Sequence, residues 1–100
     1  MQTFVLLNNE RVKNWYSDKW KVLTEPPILM NNGKIKRPDR VLINDNETII
    51  IDYKFGIEEL KTHEKQVKEY SDCLLQMNYK NVKGYIWYVT NNKIIEVTNT

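Results

Sequence analysis

The chain has 100 residues, 41% of them apolar, and a net charge of +2. That is room for one domain, residues 1–100, with an adequate core; it excludes a second domain and a dedicated polycationic nucleic-acid binder, whose charge would be larger. A single cysteine, Cys73, excludes an intramolecular disulfide and a cysteine-based zinc site and suits a reducing compartment.

The apolar start at Phe4-Val5-Leu6-Leu7 is too short for a membrane span and lacks the flanks of a signal peptide, so no membrane partner and a cytoplasmic location are expected. Residues 9–20 place Val12, Trp15, Tyr16 and Trp20 at helical spacing and predict a short amphipathic helix. From residue 21 the pattern is extended, over Lys21–Glu25 and, after two prolines, Ile28–Met30. Asn31-Asn32-Gly33 predicts a turn, residues 36–43 a second strand, Asn44–Glu47 a second turn, and residues 48–55 a third strand rich in β-branched side chains.

Residues 58–77 predict one long helix whose inward face carries Leu60, His63, Val67, Tyr70, Leu74 and Met77. A fourth strand is expected over 82–89, a two-residue turn at Asn91-Asn92, and a fifth strand over 93–98. The order α-β-β-β-α-β-β is that of an α/β fold on a mixed sheet.

Register arithmetic isolates the chemistry. If Asp45-Asn46 is a two-residue hairpin loop, Asn44 pairs with Glu47 and Asp39 comes to lie opposite Asp52. Opposed residues hold their β-carbons roughly 4.5–5.5 Å apart, where like charges destabilise. A divalent cation between the two acids is the simplest reason to put them there, and oxygen ligands suit magnesium. Lys54, two residues after Asp52, points to the same face, whereas Ile49, Ile51, Tyr53 and Phe55 point to the other. A three-residue loop at Asn31–Gly33 would bring Glu25 opposite Asp39, although a surface acid ahead of a proline turn fits Glu25 nearly as well. On the long helix, Gln66 and Tyr70 lie one turn apart on one side; Tyr70 fits a core tyrosine as well as a site residue. His63 fits a structural or rim position better than a ligand, and Trp15, Trp20, Trp87 and Cys73 fit packing roles.

Arg37-Pro38-Asp39-Arg40, Ile51-Asp52-Tyr53-Lys54 and Gln66-x-x-x-Tyr70 together resemble the signature of the RecB-type PD-(D/E)XK nucleases, found at the C-termini of UvrD/Rep-like, AddA-type helicases. Glu25-x-Pro27 resembles the family's glutamate motif, and the likeness spans roughly residues 20–89. The resemblance implies a restriction-endonuclease-like α-β-β-β-α-β core and an exonuclease-type deoxyribonuclease dependent on Mg2+ or Mn2+. Its partners would be DNA and an ATP-dependent helicase, in repair or recombination. It implies that Asp39, Asp52 and the Tyr53 carbonyl ligate the metal. Lys54 would activate water and stabilise phosphate charge, Glu25 would assist, and Gln66 and Tyr70 would position DNA. One departure stands out: the family's upstream metal-ligating histidine has no counterpart before Asp39. Either that ligand lies upstream in a longer parent, this chain being its C-terminal fragment and inactive alone, or the group does without it; the rival function is a catalytically inactive nuclease fold that binds DNA or acts as a scaffold.

Overall fold

The computed structural model describes residues 10–97. Nine elements follow in order: α1 (Glu10–Trp15), β1 (Lys21–Thr24), β2 (Ile28–Leu29), β3 (Ile35–Lys36), β4 (Arg40–Ile43), β5 (Thr48–Lys54), α2 (Lys61–Gln76), β6 (Val82–Tyr88) and β7 (Lys93–Val97). Five strands form one mixed sheet in the order β1-β4-β5-β6-β7, with β5 and β6 parallel and the other neighbours antiparallel. The chain is thus an α/β domain with two helices among the described residues, as its alternating pattern predicts.

β5 is the hub. Its β-branched residues Thr48–Ile51 suit a central strand buried on both faces, and all are buried. Alternation sends Ile49 and Ile51 to one face, where Val12, Trp15, Trp20, Leu42 and Trp87 join them under α1. Ile50 goes to the other, with Val41, Tyr70, Cys73 and Leu74 under α2. The three tryptophans and Cys73 are therefore packing residues.

Several boundaries differ from the pattern-based expectation, each for a local reason. The first helix ends at Trp15 rather than running to residue 20, because the Asn14 carbonyl collects the Ser17 N–H, the Ser17 hydroxyl and the Trp20 indole N–H and draws the chain into a turn; Asn9 lies outside the described residues. The expected strand over 36–43 is split. β1–β4 and β2–β3 share one register, which sets Pro26 opposite Pro38, and neither proline has an N–H to give. The long helix starts at Lys61 rather than 58, with Leu60 still extended at its N-cap, and it ends by Met77 with Asn78 in the left-handed conformation (φ 70°). Leu60 and Met77, expected inward, are exposed, while Ser71 is buried. The β6–β7 connection is a four-residue loop, since Tyr88 pairs with Lys93; the Val89 N–H and the Thr90 hydroxyl are committed to the Lys54 and Phe55 carbonyls instead. Residue 98 of the expected fifth strand lies outside the described residues.

α2 lies close on β6 at Gly84. A β-carbon there would collide with the Val67 side chain and sit 3.0 Å from Ser71 Oγ, so only glycine allows the approach. Gly84→Ala is expected to cost about 1–3 kcal/mol in urea denaturation. Gly56→Ala, with nothing within 4 Å of its new β-carbon, should stay within about 0.5 kcal/mol.

Candidate functional site

The site begins at the Asn44–Glu47 turn. Asn44 Oδ1 accepts the N–H groups of Asn46 and Glu47, both at 2.9 Å, and the Asn44 N–H donates to the Glu47 carbonyl at 3.1 Å. This closes the turn on a two-residue loop and sets the β4–β5 register, Ile43 with Thr48 and Arg40 with Ile51. One step further along that register, Asp39 meets Asp52. The two residues clasp each other: the Asp39 N–H donates to Asp52 Oδ1 at 3.4 Å, and the Tyr53 N–H donates to Asp39 Oδ2 at 2.8 Å.

Pro38 has a part in this arrangement. The same register sets it opposite Tyr53, and it has no N–H to offer the Tyr53 carbonyl. The β4–β5 ladder accordingly ends at the Arg40–Ile51 pair, and Pro38 offers the Tyr53 carbonyl no ladder donor.

Lys54 completes the cluster. Its ammonium lies 3.1 Å from Asp52 Oδ2 and donates to Gln66 Oε1 at 3.3 Å. Asp52 is only 5% exposed, whereas the Lys54 side chain is 25% exposed. The acid is thus sequestered, while the Lys54 side chain reaches solvent in part. Gln66 reaches across from α2, one turn before the buried Tyr70, on the sheet face covered by that helix. The Tyr70 phenol is pushed up to about 12, first by burial and then by the Asp52 and Asp39 carboxylates, so its hydroxyl stays neutral next to the acids.

Asp39 is held above the ordinary carboxylate range. Burial is the largest cause and the neighbouring Asp52 adds to it, while the Tyr53 N–H and Lys54 pull the other way. Two carboxylates and one carbonyl are hard oxygen donors of the kind that magnesium and manganese take. Asp39, Asp52 and the Tyr53 carbonyl are donors of that chemical type. No cluster of three or more His, Cys, Asp or Glu side chains suited to a metal occurs among the described residues.

Glu25 has the expected register but not the expected company. Its N–H donates to the Asp39 carbonyl at 3.0 Å, yet the residue is exposed, sits at φ 49°, and its carboxylate takes no part in the bonds that join Asp39, Asp52, Tyr53 and Lys54. His63 is a rim residue, its Nδ1 3.0 Å from the Tyr88 hydroxyl.

A supporting stack on the opposite sheet face was not foreseen. The Arg40 guanidinium lies over the Tyr16 ring at 4.4 Å, and the Tyr16 hydroxyl is 2.7 Å from that of Tyr53. Arg40 and Tyr53 each follow a site aspartate, so alternation sends them behind the site, where they brace its backbone. That alternation was the available signal; the partner, Tyr16, is brought in only by the turn after α1.

The raised Asp39 pKa has a definite sign. The folded state holds this proton more tightly than the unfolded chain, so the associated stability is present below the ordinary carboxylate value and is lost as pH rises through the folded one. Asp39→Asn keeps an oxygen for the Tyr53 N–H and removes the charge. In chelator it should be more stable than wild type near about pH 7, with the difference vanishing toward about pH 3. Urea denaturation at both pH values checks this, and a variant less stable near neutrality would refute the apposed-acid geometry.

No helix among the described residues is long and apolar enough to cross a membrane. No protein-family model matches the chain, and its comparison with curated proteins gives no match.

Proposed function

We propose that this chain is the core of a RecB-type PD-(D/E)XK nuclease with a restriction-endonuclease-like fold. Its reaction would be metal-dependent hydrolysis of DNA phosphodiesters, exonuclease in type, in the service of a helicase-coupled repair or recombination machine. The observation that carries this reading is the joint geometry of Asp39, Asp52 and Lys54: two interlocked carboxylates with an ammonium 3.1 Å from one of them. The strand–strand–helix–strand succession from β4 to β6, with β5 and β6 parallel, suits that fold.

Asp39, Asp52 and the Tyr53 carbonyl would hold Mg2+ or Mn2+. When bound, such an ion supplies a water of lowered pKa and neutralises charge on a phosphodiester. The protein's own part is positional. Asp52 and Gln66 fix the Lys54 ammonium through two contacts, which leaves its third proton for a ligand. That proton would meet a phosphate oxygen as charge builds on it. Exposed Lys34 and Arg37, on the chain leading into Asp39, add positive charge on the approach and suit a polyanionic strand. The membrane-free, cytoplasmic setting expected of a DNA enzyme belongs to the same proposal.

A second reading, a nuclease fold that binds DNA without cutting it, is favoured by one observation. Among the described residues no third acid or histidine joins the two aspartates.

Cleavage of linear DNA with magnesium or manganese separates the two. Wild type should cut, and Asp52→Asn and Lys54→Ala should each lower the rate by about 100-fold or more with an unchanged circular dichroism spectrum. Full activity in either variant removes the catalytic assignment. Glu25→Gln should lose less than either. A wild-type protein that binds DNA but never cuts it would establish the second reading.

A further inference from the structure

The segment between β5 and α2 has an unusual combination of exposure and fixation. Phe55 is 71% exposed, Ile57 72% and Leu60 43%, three large apolar side chains within six residues. Contiguous exposed apolar surface of this kind marks an interaction site. Yet the segment is firmly tied down. The Val89 N–H donates to the Lys54 carbonyl at 2.9 Å, the Thr90 hydroxyl to the Phe55 carbonyl at 2.5 Å, and the Asn91 amide to the Ile57 carbonyl at 3.2 Å. Lys93 pairs with Glu59 at 2.9 Å. The β6–β7 turn thus holds the backbone while the apolar side chains stay outward.

These side chains border a shallow, open depression of about 400 Å3, and Lys54 lines it together with Glu58 and His63. Lys54 therefore belongs both to the carboxylate cluster and to the apolar depression. A ligand spanning the two needs an anionic group at Lys54 and a flat or apolar group beside it, bearing polar edges that could meet Glu58 and His63. His63 is preset, with its Nδ1 on the Tyr88 hydroxyl and its ring 5.7 Å from that tyrosine ring. A nucleotide has this build, and exposed aromatic rings beside a cation are the usual platform for unpaired bases.

We propose that this depression is a base-binding subsite: an unpaired nucleobase stacks on Phe55 against Ile57 and Leu60 while its phosphate lies at Lys54. The inference rests on the nuclease reading above and deepens it, because a base inside a duplex has both faces occupied by its neighbours. The site would then take single strands or frayed ends in preference to blunt duplex.

The test uses the full chain in chelator, where no cutting occurs, and a single-stranded oligonucleotide carrying 2-aminopurine near its end, whose fluorescence reports stacking. Wild type should change the fluorescence and bind the single strand more tightly than a blunt duplex of the same sequence. Phe55→Ala should abolish the change and weaken binding about tenfold or more, whereas Phe55→Trp should restore both. Phe55 is exposed, so the thermal midpoint should not move. Equal affinity for single strand and duplex, or an unaltered affinity in Phe55→Ala, overturns the proposal. A separate cleavage assay with metal keeps the two readings apart. Cutting without a Phe55-dependent fluorescence change removes the base subsite and leaves the nuclease; the fluorescence change without cutting leaves the base subsite and removes the nuclease.

Discussion

The side-chain amide of Asn44 holds the turn that sets the β4–β5 register, and the candidate site depends on that register. With Oδ1 bound to two successive N–H groups, the loop closes after two residues, and every later pairing follows. A slip of one residue would turn Asp52 and Lys54 to the face of the tryptophans and bring Ile51 and Tyr53 under α2. The slip is opposed at many points, since Ile49, Ile50 and Ile51 are each matched to an apolar layer. The same packing that stabilises the domain thus fixes the side on which its charges stand.

The charges bring a cost that the local geometry offsets only in part. Burying Asp52 next to Asp39 is unfavourable in itself. The Lys54 ammonium answers one carboxylate and two backbone N–H groups answer the pair, but Asp39 remains above its ordinary range. Two acids held together in this way would gain from a cation between them, which is the physical link between the fold and the proposed chemistry. Packing supplies the other half. Because Gly84 lets α2 lie close on β6, Gln66 reaches the Lys54 ammonium from the helix side. A methyl group at residue 84 would thus be felt at the site as well as in stability.

The proposed nucleotide site joins the carboxylate cluster to the apolar segment after β5 through Lys54, which lines both. From the rear face, Arg40, Tyr16 and Tyr53 brace β5 and the chain entering β4, which carry Asp52 and Asp39. Asp52 and Lys54 stand on β5, Asp39 immediately before β4, and the apolar segment after β5 is pinned by the β6–β7 turn. Such a platform needs little reordering when a ligand arrives.

Much of this was determined by the sequence alone, because strand period and turn length are local properties. Alternation along residues 48–55 put Asp52 and Lys54 on one face, and the loop at Asp45-Asn46 brought Asp39 across from Asp52. The β-branched run fixed the central strand, and helical spacing placed Gln66 and Tyr70 on one side of α2. Tertiary structure decided what such counting cannot reach. It ended the first helix early through the Asn14 carbonyl, delayed α2 to Lys61, and set the Tyr88–Lys93 pairing by drawing Val89 and Thr90 to β5. It left the Glu25 carboxylate outside the cluster although its backbone is in register, since register fixes where a residue stands and not where a side chain at positive φ points. It also brought Tyr16 to Tyr53 and Thr90 to Phe55, contacts between residues more than thirty positions apart, because the chain is brought together there by burial of apolar surface, which is non-directional and leaves no periodic mark in the sequence.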